Sequence, residues 1–408
     1  MLGGTLSLLC LLAIGLTVLT DPYYVFGTHR SVGWNWLKPT AYNQAAAGKT
    51  YLLERAHPRT LLLGNSRIEV GFDPKSQAWP AAMRPVFNAG MSGRDLSVSV
   101  GMLEDALVSR GLRQVLVGVD FLDFLQVDDA PASADPISTG MDDNRIRVRG
   151  DDLSPNLARL LARAKDALMA TLTVDAVADS LTTILSQHLT APNTMTPLGF
   201  NPLNEYRAYT ETHGFHDLFS QKQAQYAARF PHYIRPDYGD PYKIRSFRYL
   251  RQIVRAVQAK DVSLVLIVYP YHARMMDLFL QDSLWNSFED WKRALVRVVA
   301  ALDPEGHVRI VDFSGYDRYT TQQPSMTGHA GADPPWYWEP GHFRPALGEQ
   351  MIRRLYGNVR NGFGRDLTPD TVESGIRTVR NEAKSFSRFL HRNFPTPSAT
   401  HASLHFSH

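Results

Sequence analysis

The 408-residue chain holds a single cysteine, Cys10, so it can build neither an intrachain disulfide nor a cysteine-ligated zinc site, and its redox compartment stays open. An excess of either charge is also missing. Lys and Arg number 43 against 40 Asp and Glu, and a net charge of +3 is too small for a nucleic-acid footprint and gives no support to polyphosphate partners. There is no internal repeat, no low-complexity tract and no closely spaced set of metal ligands; His401, His405 and His408 stand too loosely near the end of the chain to form one. Long apolar runs are absent too, with one exception at the start.

That exception is LGGTLSLLCLLAIGLTVLT, Leu2 to Thr20, which carries no charged residue. At about 1.5 Å rise per residue it nearly matches the hydrocarbon thickness of a bilayer, and we read residues 1–21 as a transmembrane anchor. A cleaved signal peptide is the competing reading, but no small-x-small cleavage site precedes Asp21. A lipoprotein is disfavoured because Leu9, not a small residue, precedes Cys10. Nothing basic precedes the run while His29, Arg30 and Lys38 follow it, so charge alone points the body toward the cytoplasm.

What is present is an ordinary globular composition, 44% apolar and 20% charged, in a chain long enough for one large α/β domain or two modest ones. Residues 22–50, rich in aromatics at DPYYVFGTHRSVGWNWLKP, suit an interfacial segment, and the folded body is expected from about Tyr51 to residue 360. Short Val, Ile and Leu runs ending in turn residues predict buried parallel strands at Thr60–Leu63, Val86–Asn88, Gln114–Val119, Ser263–Tyr269 and Val308–Phe313. Helical patterns lie between and after them at Ser97–Arg110, Arg245–Lys260, Ser287–Ala301 and Pro345–Tyr356, the last with proline in its first turn. Alternation of this kind predicts a doubly wound sheet, whose ligands bind beyond the carboxyl ends of the strands.

The interval 125–243 breaks the alternation and reads as an insertion, a lid or acceptor-binding surface. Its Leu157–Leu189 part is helical by pattern, and Thr190–Asp240 is rich in Pro, Tyr and His. Residues 361–408 read as a tail, with a helix over Pro369–Leu390 and disorder beyond it.

The residues that can carry chemistry stand just after strands. The first strand ends in LLLGNSRIEVGFDP, which puts Ser66 beyond a Gly-Asn pair where either a nucleophile or a helix cap belongs. The second ends in FNAGMSGRD, where Gly90 and Gly93 let backbone N–H groups turn toward negative charge, or simply make a turn. Near the far end, WYWEPGHFRPALGEQM sets Glu339 three residues before His342 on a loop leading into a helix. A serine needs a base to become a nucleophile at neutral pH, and the base needs a carboxylate to fix its tautomer. His272, after the fourth strand in LIVYPYHARM, is a further candidate, with a structural role as the other reading.

G-N-S-R after the first strand, N-A-G-M-S-G after the second and a late acid-x-x-His loop resemble, in order and spacing, the landmarks of the SGNH (GDSL-like) hydrolases. The resemblance covers about Thr60–Phe124 and Ser263–Tyr356. It implies a flavodoxin-like three-layer α/β/α parallel sheet, with Ser66 as nucleophile, His342 as base and Glu339 as the orienting acid. It implies oxyanion donors at the N–H of Gly93 and of Ser66 itself, with Asn88 and Gly90 shaping that loop.

Two departures from the family pattern bear on chemistry. Its third landmark is Gly-x-Asn, whose amide completes the oxyanion hole, but LVGVDFLDF has Asp120 there, and a carboxylate would repel the charge it should stabilise. Either Asp120 points elsewhere or Asn65, Arg67 or His272 supplies the donor; Arg67 could equally pair with Asp120. The second departure is Glu in place of the usual Asp at position 339, a tolerable change for a group that only accepts an imidazole N–H.

An N-terminal membrane helix, a D-P-Y segment and an H-F-R-P helix start further resemble the anchored members tied to envelope polymers, similar to alginate O-acetylation and wall D-alanyl transfer proteins. The expectation is an esterase or O-acyltransferase without metal or organic cofactor, acting on polysaccharide hydroxyls with an acyl donor. Its body would lie in the periplasm, held to the inner membrane and associated with a polysaccharide synthase or export complex. Tyr206, Tyr209, Phe215, Tyr226 and Tyr233 could stack on sugar rings or serve packing. The rival expectation is a non-catalytic protein of the same fold that binds polymer or tethers a synthase complex.

Overall fold

The computed structural model describes residues 2–108, 111–127, 157–189, 195–324, 334–357 and 362–393. The helix α1 (Leu2–Thr20) is the one described helix long and apolar enough to cross a membrane. The carbonyls at its carboxyl end, which no helical N–H can reach, are met by the segment that follows. Thr28 donates to Val18, Asn35 donates to Leu19 at 3.2 Å, and Lys38 Nζ donates to Thr20 at 2.8 Å. Burial lowers the ammonium of Lys38 to about 8, with Asp21 opposing that shift.

After α2 (Ala45–Ala56) the chain alternates: β1 (Thr60–Leu63), α3 (Ser66–Gly71), β2 (Val86–Asn88), α4 (Leu96–Val108), β3 (Gln114–Val119). The interval that follows carries β4 (Gln126–Val127), α5 (Leu157–Met169), α6 (Val174–Leu185), α7 (Asn204–His213), α8 (Phe215–Arg229) and β5 (Tyr233–Ile234). Alternation then resumes with α9 (Arg245–Gln258), β6 (Ser263–Val268), α10 (Ala273–Gln281), α11 (Trp285–Leu302) and β7 (Arg309–Asp312). The hairpin β8 (Tyr337–Glu339) and β9 (His342–Phe343), α12 (Pro345–Tyr356), β10 (Arg365–Asp366) and α13 (Val372–Asn393) complete it.

Six strands form one mostly parallel sheet in the order β10-β7-β6-β3-β1-β2, with only β10 antiparallel, against β7. The molecule is thus α/β, as its alternating pattern predicts. Every residue of β1 and β3 is buried, which is why these strands read as unbroken apolar runs. Each fully buried Leu or Val there contributes roughly 1.5–3 kcal/mol over an exposed one. Helices α4, α9 and α11 contact one another in succession, and α12 contacts α3. β1 leads outward to β2 and the chain then crosses back to β3, so the loops after β1 and β3 diverge and leave a crevice beyond their carboxyl ends.

Two expected boundaries shift. Helix α2 runs through the expected start at Tyr51, and Ala41 and Lys49 are fully buried, so the body takes in residues before 51. The expected tail adds the edge strand β10 and packs α13 against α10 and α11 through Val372, Ile376, Val379 and Ala383, an i, i+4, i+7, i+11 stripe. The disorder expected at its end lies in residues outside those described.

Candidate active site

Ser66 opens α3 directly after β1. Asn65 caps that helix, its side chain accepting from Arg67 N at 3.1 Å. The turn needs glycine at 64, because φ is +144° and an added Cβ would lie 2.7 Å from both Ile68 and the Tyr269 hydroxyl. On the other side of the cleft, the β8–β9 hairpin pairs Glu339 with His342. Phe343 brings that hairpin down onto α3 by seating its ring on Gly71, where a Cβ would stand 2.0 Å from the ring. Phe343 also meets Phe72 edge-on at 5.7 Å.

These contacts join residues far apart in the chain into one hydrogen-bonded line. Ser66 Oγ lies 2.7 Å from His342 Nε2, and His342 Nδ1 is held by Glu339 Oε1. The other oxygen, Glu339 Oε2, accepts from Gly341 N at 2.7 Å. Glu339 is fully buried, and burial alone would raise its carboxyl; His342, the Gly341 N–H and Arg67 together outweigh burial and hold it below the ordinary carboxylate range. An ionised carboxylate on Nδ1 fixes the proton there and leaves Nε2 to accept from the serine hydroxyl.

Ser66 and His342 border a cavity of about 290 Å³, whose other walls include Tyr42, Ser92, Asn201, Glu205 and Tyr206. None of these five was singled out as a site residue except Tyr206, named as a stacking face. The insertion contributes the last three, and Asn201 is anchored there by its backbone N donating to Glu69 O at 3.2 Å and its side chain accepting from Leu203 N at 2.9 Å. Beneath the cavity, Glu69 accepts from Tyr42 Oη at 2.7 Å, from Lys49 Nζ at 2.7 Å, and from Ser92 through Oγ at 2.6 Å and N at 3.0 Å. Lys49 is lowered by burial, with Glu69 opposing. The sequence does hold a signal for this cluster: Glu69 stands three residues after Ser66, on the same side of the helix.

The expected donors are placed differently from one another. Gly93, at φ +68°, is exposed beside Ser92 at the cavity rim. Asn88 and Gly90 do not face the Ser66 hydroxyl with unused donors. Asn88 Nδ2 donates to Ile68 O and Phe72 O, both at 2.8 Å, while its Oδ1 accepts from Gly90 N at 3.0 Å, so the pair locks the end of β2 to α3.

Asp120 is taken up by other partners than Ser66. Its carboxylate pairs with Arg67 and accepts from Asn65 Nδ2 at 2.7 Å and Tyr271 Oη at 2.5 Å. Of the two alternatives, the pairing of Arg67 with Asp120 is the one found: the Asn65 and Arg67 side chains are both engaged with carboxylates and neither borders the cavity. His272 takes the structural one of its two readings. It is fully buried as the cap of α10, accepting from Arg274 N at 3.1 Å and bonded through Nε2 to Gln322 O at 2.7 Å, and burial pushes its imidazole down to about 3.

Of the aromatic residues named in the insertion, Tyr206 reaches the cavity, while Tyr226 lies 3.5 Å from Glu339 Oε1. Phe215 stacks on Trp338, Tyr209 on His213, and Tyr233 packs against Phe230, all packing uses. Among the described residues no group of His, Cys, Asp and Glu stands together as metal ligands would. No family model matches the chain, and no curated protein matches it in sequence.

Proposed function

We propose that the chain is a serine acyl-transfer enzyme of the SGNH type, an esterase or O-acetyltransferase acting on polysaccharide hydroxyls. The observation that carries this reading is the line Ser66 Oγ, His342 Nε2, His342 Nδ1, Glu339, opening on a cavity at the carboxyl end of β1. Support also comes from the sheet. Leaving out the edge strand β10, its order β2-β1-β3-β6-β7 is the 2-1-3-4-5 order of flavodoxin-like doubly wound folds, with Ser66 at the switch point between β1 and β3.

In this reading Ser66 Oγ attacks the carbonyl carbon of the donor ester while His342 Nε2 takes its proton, and the Ser66 N–H with the Gly93 N–H stabilises the tetrahedral oxyanion. The C–O bond to the leaving alcohol breaks, His342 returns the proton to that alcohol, and an acyl-serine remains. A sugar hydroxyl or water then gives its proton to His342 and attacks the acyl carbon; the bond to Ser66 Oγ breaks, His342 returns that proton to Ser66 Oγ, and the acylated sugar or the free acid leaves. Glu339 stays ionised throughout and stabilises the imidazolium. The resemblance favours a periplasmic body, anchored to the inner membrane by α1 and working beside a polysaccharide synthase or export complex.

Treatment with a fluorophosphonate tests the nucleophile: the parent is expected to label, Ser66→Ala and His342→Ala to lose it, and labelling that survives Ser66→Ala removes the assignment. One observation favours the second reading, a polymer-binding protein without turnover: Asp120 stands where the family carries its amide donor. That reading gains if the parent never labels yet retains purified polysaccharide in a pull-down.

A further inference from the structure

We propose that α5 and α6 are embedded in lipid beside α1, so that the protein holds the membrane by a spanning helix and by a bent helical pair that enters one leaflet. The argument begins with α1. Its 19 residues, at about 1.5 Å each, just fall short of the ~30 Å hydrocarbon thickness, so a spanning α1 can leave no turn outside it. Yet its last turns are not bare. Residues 3–12 are exposed, whereas residues 13–20, apart from Leu19, are covered wholly or partly by the rest of the chain. Helix α6 supplies part of that cover, with Thr20 Oγ1 donating to Ser180 Oγ at 2.9 Å. What packs on these turns shares their depth.

The polarity of α5 and α6 is that of helices in lipid. A helix on a soluble protein buries its large apolar side chains and exposes polar ones; here the pattern is reversed. α6 buries Ala176, Ser180 and Thr183, and exposes Val174 (85%), Leu181 and Leu185 (71%), an i, i+7, i+11 stripe. Small residues toward the neighbouring helix and leucines outward is the packing used between helices in membranes. α5 likewise buries Ala162 and Asp166 and exposes Leu161, Leu168 and Met169. Two of its polar groups turn to protein: Asp166 accepts from Tyr51 Oη at 3.1 Å, and Arg163 pairs with Glu54. Lys165 is exposed on the leucine face, where its long stem would let the ammonium reach up to the headgroups.

The length and surroundings set the depth. At about 1.5 Å per residue, neither α5 with 13 residues nor α6 with 12 can cross a bilayer alone, and a 63° bend separates the pair. Exposed Trp34 and Trp36 flank the carboxyl end of α1, Trp34 Nε1 donating to Leu19 O at 3.3 Å, where an aromatic belt would mark the interface. Adjacent residues link this region to the cavity: Tyr42 lines it, and Asn43 Nδ2 donates to Asp179 of α6 at 3.0 Å. The cavity beside Ser66 is thus held at a set distance from the bilayer.

The test uses the full chain, with Cys10→Ser removing its one thiol, in vesicles of phosphatidylcholine and phosphatidylglycerol. Single Leu168→Cys and Leu181→Cys variants carry an environment-sensitive fluorophore, with Leu9→Cys in α1 and Ile234→Cys on the body as references. The expected result is quenching at 168 and 181 by nitroxides on lipid acyl chains, at a depth on the order of 5–10 Å below the headgroups, while 234 responds only to aqueous iodide. Iodide quenching at 168 and 181 equal to that at 234 overturns the proposal. So does shielding from both quenchers that disappears on diluting protein in lipid, which assigns the face to a second copy of the chain. Unsubstituted protein in vesicles with a photoactivatable acyl-chain lipid gives a second readout: crosslinks are expected in residues 160–189 as well as in α1, and crosslinks in α1 alone contradict it.

Discussion

Residues 65, 66 and 67 are neighbours in the chain, but their side chains make two separate sets of contacts at the first turn of α3. In one, Ser66 meets His342 at the border of the cavity, with the Nε2 atom 2.7 Å away. In the other, Asn65 and Arg67 close onto Asp120 and Tyr271 in a buried knot. Burial and Asp120 push the neighbouring Asp123 carboxyl well above its usual range, with Arg67 opposing. The first side has a hydroxyl and an imidazole with a route to substrate, and the second has stronger charges with none. Access and proton geometry, rather than the number of charged groups, mark out the side on which the proposed nucleophile stands.

Substitutions divide the two sides. Ser66→Ala should abolish aryl-ester turnover, a fall of about 10⁶-fold if the residues act as a unit, with the thermal midpoint unchanged. Residual turnover near the parent rate would break the contrast. Glu339→Gln should lower kcat by about 10⁴-fold, and Glu339→Asp should recover part of it, as seen in steady-state rates.

Across the turn, Asp120→Asn should act on stability first, because it leaves the Arg67 guanidinium buried without its counter-charge; about 3–5 kcal/mol is expected in denaturant unfolding. If Asp120→Asn instead raised turnover without loss of stability, the knot would have to be reassigned to the chemistry.

The smallest effect is a pH dependence away from both sides. His272 is lowered from 6.5 to about 3 in the fold, so the unfolded chain binds the extra proton first as pH falls. Its contribution is complete above about 6.5, shrinks as pH drops below that value and is lost once pH passes about 3. Unfolding midpoints from pH 7 to 4 should therefore decline less steeply in His272→Gln than in the parent.

Parts of this arrangement are legible in the chain and parts are not. Strands β1, β2 and β3 match their expected ranges residue for residue, since fully buried parallel strands leave uninterrupted Val and Leu runs. Helix α12 also matches, because Pro345 marks its first turn. The direction of Asp120 was open: a strand-end position says which cleft a residue stands near, while the partner is chosen by Arg67 and Tyr271, 53 and 151 positions away. For the same reason Asn201 and Glu205 were not seen, since their place at the cavity is set by the fold of the insertion around α7. His272 stays open between two readings in the sequence because a helix cap and a cleft residue occupy the same kind of site after a strand.

The most direct test of the central claim, that Ser66 is acylated through His342, is peptide mass spectrometry of protein quenched in acid shortly after mixing with p-nitrophenyl acetate. The account predicts one acetyl group on the peptide containing Ser66, absent in Ser66→Ala and strongly reduced in His342→Ala. Acetyl found on a different residue, or at equal yield in His342→Ala, would contradict it.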